Sequence, residues 1–182
     1  MKHIPLFFAA MAMAATLSAA TEKEAPKTTN MSSPDMAAVL FAANEGEIEQ
    51  ATVAYPKLFD SGVKNFAQMM VDDHKNGLTN TTNIMAANKI AAHDAAPDAI
   101  DLRNKSKQLV TNFQTAQGNF DRNYMVAQIE EHQHLLDLLD QKLIPSSRGE
   151  LLTLMQTTRF TVQSHLERAK AILAELPQMP QP

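Results

Sequence analysis

From Pro34 to Leu176 apolar residues return every three or four positions, the spacing of one face of an α-helix. Ser33-Pro34-Asp35 opens the first predicted helix with a capping residue, a proline at the first helical position and an acid at the positive end of the dipole. That helix runs to about Phe59, with a kink at Pro56, which leaves the carbonyl of Thr52 without a donor. Its inward face is read as Val39, Ala42, Gly46, Glu49 and Val53. After an Asp60-Ser61-Gly62 turn, a second helix spans about Val63 to Asn88, with Val63, Phe66, Ala67, Met70, His74, Leu78, Thr81 and Met85 on one stripe. A helical segment from Asp98 turns Leu102, Leu109, Val110 and Phe113 inward and is interrupted near Gly118. The third long helix, about Asn119 to Leu143, carries Asp121, Met125, Gln128, His132, Leu135, Leu136 and Leu139, and Pro145 ends it. Ser147 to Glu150 has the form of a capping box for the fourth helix, which continues to about Glu175 through Leu151, Met155, Thr158, Val162, His165, Ala169 and Ile172. Four long amphipathic helices with mostly short joins predict an all-α, antiparallel four-helix bundle, with an extra helical segment before the third long helix.

The ends of the chain do not share this period. Residues 1–20 read as a signal peptide: Lys2, an apolar run from Ile4 to Leu17 broken by Pro5 and Thr16, then small residues at Ser18 and Ala20 for cleavage. The run is shorter than the ~20 residues of a comfortable membrane span, and an uncleaved anchor is the rival reading. Residues 21–33 are polar and aperiodic, a flexible leader. Residues 34–176 form the bundle domain and residues 177–182 a Pro-rich tail that cannot continue a helix. Export places the mature protein in the periplasm or beyond, with no stable membrane span after cleavage.

Charge and cysteine usage narrow the chemistry. The 182 residues hold 16 basic and 20 acidic groups, net −4, and removing residues 1–20 takes away one lysine for a net of −5. An acidic chain with few aromatics has no field to draw nucleic acid. Zero cysteine excludes disulfides, thiolate metal sites and a catalytic thiol.

The informative positions are polar residues on faces that ought to be apolar. Each long helix has one near its midpoint: Glu49, His74, His132 and His165. In alternating helices these four fall within about six residues of depth, or ~9 Å. Three neutral imidazoles and a carboxylate make a first shell for a transition metal, Zn, Fe, Cu or Mn. The alternative is that each histidine is a core residue bonded to a carboxylate of a neighbouring helix. A di-iron carboxylate centre is disfavoured, because Glu131-x-x-His134 is the one Glu-x-x-His pair and position 71 is Val. Met70 and Met125 are candidate thioether ligands for copper, more plainly core filler. Asp121 lies three turns from His132 and is assigned a structural role near the Gly118 bend. Asp72 and Asp73 are candidates to fix an imidazole tautomer. No phosphate loop, nucleophile elbow or catalytic triad is found, so no catalytic residue is assigned.

Several of these residues fall in an ordered set of motifs. Ala42-Ala43-x-x-Gly46-x-x-Glu49, Val63-Lys64-x-Phe66-Ala67-x-x-Met70-Val71-x-Asp73-His74, Gly118-x-Phe120-Asp121-x-x-Tyr124-Met125 with His132, and His165-Leu166-x-x-Ala169 together resemble the family filed as domain of unknown function 4142. The resemblance spans about Pro34 to Leu173. It implies an exported bacterial protein with a ferritin-like four-helix bundle, often labelled a putative outer-membrane protein, and it implies no particular activity. Three departures stand out: Phe160 where the family usually has Pro, Glu131 rather than Asp before His132, and Pro56 within the first helix. Two functions remain open at this level. One is envelope metal handling or stress protection through a core metal. The other is a non-catalytic structural or interaction module whose partner the sequence does not name.

Overall fold

The computed structural model describes residues 30–177. The signal-peptide reading, most of the leader and nearly all of the tail lie outside that span. Five helices make up the described chain: α1 (Ser33–Ala54), α2 (Ser61–Ala87), α3 (Pro97–Thr115), α4 (Phe120–Leu138) and α5 (Gly149–Glu175). No strand occurs among the described residues.

The extra helical segment expected before the third long helix is present as α3. A break at Ala116–Asn119 separates α3 from α4, and Gly118 holds φ at 80° there, a left-handed conformation that suits glycine. α3 packs along α1 as extensively as α2 does. The described chain is thus all-helical, with the extra segment present as the third of five helices.

Two apolar clusters set the direction of each helix. The first gathers Met36–Leu40, Met85, Ala99, Leu102, Leu136, Leu139, Leu143, Leu151, Met155 and Val162. The second gathers Ala51, Ala54, Leu58, Val63, Phe66, Ala67, Met70, Phe113, Phe120, Tyr124, Met125 and Ala169. α1, α3 and α5 pass from the first cluster to the second, and α2 and α4 return, so successive helices are antiparallel. α4 packs chiefly on α5, whereas the seam between α2 and α5 is sparse.

Helix boundaries follow local chemistry. Ser32, one residue before the predicted cap, accepts from the Asp35 amide at 3.2 Å, and Met31 donates its amide to Ser146 Oγ at 2.9 Å. Pro56 does not kink a continuing helix: α1 stops at Ala54 and Tyr55–Lys57 forms a 3-10 turn. Asp60 caps α2 through the Val63 amide. The other end of α2 closes with Lys89 at φ 55°, Ile90 N–H on the Met85 carbonyl and Lys89 N–H on the Ala86 carbonyl. That is a Schellman ending with lysine in the place glycine prefers. α4 continues past Leu138 through a π turn, Leu139–Leu143, and Pro145 sits inside a final short turn. The capping box predicted for Ser147 and Glu150 does not form. Ser147 is fully buried and its hydroxyl donates to the Leu143 carbonyl at 2.6 Å, leaving Arg148 to start α5 without a side-chain cap.

Candidate metal centre

Between the two apolar clusters lies a layer of polar side chains, one or more from every helix. α1 contributes Asn44, Glu47 and Gln50; α2 His74; α3 Ser106; α4 Gln128, Glu131 and His132; and α5 His165. Each follows from register. His74 falls between Met70 of the second cluster and Met85 of the first, His132 between Met125 and Leu136, and His165 between Val162 and Ala169. The alternation of helix direction brings the three to one depth.

The three imidazoles meet. Ring centroids are 6.0 Å apart for His74–His132, 5.5 Å for His74–His165 and 5.4 Å for His132–His165. One ring nitrogen of each lies within 4.8 Å of the others. All three side chains are at most 5 % exposed.

The outward nitrogens are tied to acceptors. His74 Nδ1 is 3.1 Å from Asn44 Oδ1, His132 Nδ1 is 2.8 Å from the Gln128 carbonyl, and His165 Nε2 is 3.0 Å from Asp73 Oδ2. Asn44 spends its amide N–H on the Leu40 carbonyl at 2.7 Å, so its oxygen faces the ring. A carbonyl, an amide oxygen and a carboxylate can only accept, so each of these nitrogens carries the proton. The lone pairs therefore sit on His74 Nε2, His132 Nε2 and His165 Nδ1. Among the described residues none of these three buried atoms has a hydrogen-bond partner. Gly77 permits the first of the bonds: a Cβ there would lie 2.5 Å from Asn44 Oδ1.

Burial keeps the rings neutral. It holds His74 well below its usual range, with the neighbouring His132 and His165 adding to the effect. It brings His132 down to about 4, His165 again contributing. His165 is lowered too, by burial, with Asp73 pulling the other way. Neutral imidazole is the form that ligates a metal.

Glu49 is not part of this layer. It is exposed on α1 and borders a groove with Arg103 and Lys107 of α3. The buried carboxylate of α1 is Glu47, two residues earlier and about 200° round the helix. The inward face of α1 is hard to phase because Met36 to Leu40 are all buried, so apolar residues surround the helix. Glu47 Oε1 lies 3.9 Å from His132 Nδ1. Burial first, then the Glu131 charge, pushes the Glu47 carboxyl up to about 8. With His132 neutral as well, that approach is a contact of uncharged groups at neutral pH and not an ion pair.

The remaining candidates take structural positions. Asp121 accepts from the Phe59 and Asp60 amides at 2.9 and 3.3 Å, capping the joint before α2. Asp73, and not the exposed Asp72, holds an imidazole. Glu131 pairs with Lys105 Nζ at 2.6 Å. Met70 and Met125 belong to the second apolar cluster. Phe160 is 76 % exposed, so that departure from the family pattern leaves the histidines untouched. Asn44 escaped the sequence reading, and Gln128, read as inward, acts on His132 through its backbone carbonyl; on α1, Val39, Ala42 and Gly46 are buried as expected and Glu49 is not.

Among the described residues no helix is long and apolar enough to cross a membrane. No curated protein and no solved structure matches the chain. The family model described as "Domain of unknown function (DUF4142)" matches residues 18–172, most of the chain, and the protein belongs to that family.

Proposed function

We propose that His74, His132 and His165 form a mononuclear metal centre in an exported helical protein that handles metal or protects against stress in the cell envelope. One observation carries this reading. One ring nitrogen of each buried histidine lies within 4.8 Å of the others, and each ring has one nitrogen bonded to an acceptor and one without a partner. Without a cation that arrangement sets three buried acceptors against one another, at a cost of about 1–3 kcal/mol for each unsatisfied group. A metal converts the same arrangement into a ligand set, and the acceptors behind the rings are the outer partners that metal-binding histidines take. Of Zn, Fe, Cu and Mn, an all-imidazole set without a facing carboxylate suits Zn or Cu best and Mn least. Export to the periplasm rests on the apolar run and small residues at positions 4–20. A distant kinship with ferritin-like bundles belongs to this reading, with α3 as an addition to the four-helix plan.

The test is metal content of untagged protein after reconstitution, alongside His74→Ala, His132→Ala and His165→Ala. One ion per chain in the wild type and at least hundredfold weaker binding in each variant supports the centre. Metal-free wild type with unchanged thermal stability on adding Zn or Cu removes it. That second result favours a structural module, for which the His74–Asn44 and His165–Asp73 bonds between neighbouring helices are the supporting observation.

A further inference from the structure

Three neutral imidazoles bring no charge to an ion, and the neighbouring carboxylates do not join them. Glu47 approaches His132 at Nδ1, the nitrogen bonded to the Gln128 carbonyl, and at 3.9 Å it is beyond hydrogen-bonding distance. Asp73 holds Nε2 of His165, and Glu131 is engaged by Lys105. Among the described residues, the group able to share one ion consists of the three histidines alone. The ring nitrogens left to ligate, His74 Nε2, His132 Nε2 and His165 Nδ1, are each buried away from solvent. Zinc takes a fourth ligand in both its usual settings, a protein side chain in closed sites and water in open ones. This layer supplies three.

Imidazole serves zinc and copper alike, so donor type does not choose between them. Charge and coordination number do. The cost of taking an ion out of water grows with the square of its charge, so a dication costs about four times as much as a monocation of the same size. Anionic ligands ordinarily offset that cost, and this ligand set contains none. The carboxylate hydrogen-bonded to one of the rings is Asp73, through His165. Its single negative charge balances a monocation and leaves a dication half compensated. Cuprous copper is a closed-shell monocation that accepts three nitrogen ligands in a plane without a fourth.

We infer that the histidine layer is a site for cuprous copper, held in three-coordination by His74, His132 and His165 in preference to divalent zinc. The inference rests on the metal-centre reading above and deepens it by naming the charge and coordination number of the ion. Oxidation to the cupric state is resisted at the same site, because it would bring both a second buried charge and the need for further ligands.

Parallel titrations of the untagged protein test this, with Cu(I) delivered anaerobically from a chromophoric cuprous chelator and Zn(II) from a zinc chelator. One Cu(I) per chain should bind about a thousandfold more tightly than Zn(II). His74→Glu, which puts an anion into the ligand set, should narrow that ratio by about tenfold or more. X-ray absorption of the copper-loaded wild type should show three nitrogen ligands, and the sample should stay silent by electron paramagnetic resonance after exposure to air. These two wild-type readouts decide the matter if His74→Glu does not fold. Zinc binding as tightly as Cu(I), or a ratio unchanged in folded His74→Glu, would overturn the charge argument while the metal centre stands. A fourth ligand on copper would overturn the three-coordinate site. A full cupric signal in air would overturn the preference for the monocation. Wild type that takes up neither ion would remove the metal centre, and this inference with it.

Discussion

Phe113 and Tyr124 meet edge to face with centroids 5.6 Å apart, and Phe113–Phe120 and Phe66–Tyr124 do the same at 5.8 and 6.4 Å. About two turns further along α4, His132 meets His74 and His165 at 6.0 and 5.4 Å in equally steep orientations. The two clusters have nearly the same geometry and opposite electrostatics. Phenyl edges are positive and faces negative, so the lower cluster attracts itself and is complete as it stands. Imidazole edges carry lone pairs, and with each proton committed to an outward acceptor the three remaining nitrogens confront one another. One cluster is complete as packed; the other leaves three buried ring nitrogens without a partner among the described residues.

Breaking the aromatic cluster should give the largest change. Phe66→Ala should cost about 3–5 kcal/mol in denaturant unfolding, from lost burial and a cavity. Metal affinity per folded molecule should stay within a few-fold of wild type. A large loss of affinity at this site would show that the two clusters do not act independently.

The pH response of the metal-free protein separates them next. His132 titrates near 4 when folded and near 6.5 when unfolded. Its stability term is therefore complete above pH 6.5 and is lost as pH falls towards 4, by about 3 kcal/mol. His74 and His165 are lowered as well and act in the same direction. Glu47, raised to about 8 from 4.5, works oppositely. Its contribution is complete below pH 4.5 and is lost as pH rises through 8. Metal-free protein should thus be most stable near pH 6–7, and Glu47→Gln should add about 4 kcal/mol at pH 8 and about 1 kcal/mol at pH 5. A flat profile from pH 4 to 8 by thermal unfolding would contradict the buried, neutral layer.

A smaller effect probes what holds the rings. Asn44→Ala should weaken metal binding about 10–100-fold by releasing the His74 tautomer. Gly77→Ala should do nearly the same by displacing the Asn44 side chain. Competition with a chromophoric chelator measures both, and wild-type affinity in Asn44→Ala would show that the tautomer is held by something else. Smallest, and outside both clusters, Lys89→Gly should stabilise the protein by about 1 kcal/mol, because lysine occupies a left-handed position at the end of α2. No gain in unfolding midpoint would mean the extra freedom of glycine in the unfolded chain cancels the relief.

Much of this was legible beforehand where a helix has one wet face. α2, α4 and α5 show a clear stripe, and His74, His132 and His165 lie on it because the apolar positions on either side set the phase. α1 lies against both α2 and α3, so residues 36–40 are buried all round and no stripe marks its inward side. The pattern therefore points to Glu49, whereas Glu47 is the buried acid. The Ser147–Glu150 signature misled for a related reason: a capping pattern predicts a cap only if the serine is free, and burial gave its hydroxyl to Leu143.

By its own pattern the chain determined that it is helical, roughly where each helix begins and ends, that no thiolate can serve as a ligand, and which three histidines face inward. These are properties of residue type and period, which act over one or two turns. Tertiary structure alone decided that α3 is a full partner of α1 and that Glu49 points away. It also decided that Asn44, the Gln128 carbonyl and Asp73 take the outer protons of the three rings. A tautomer depends on which atom from another helix, or from the turn before, stands within about 3 Å. That distance exists only once the helices have packed.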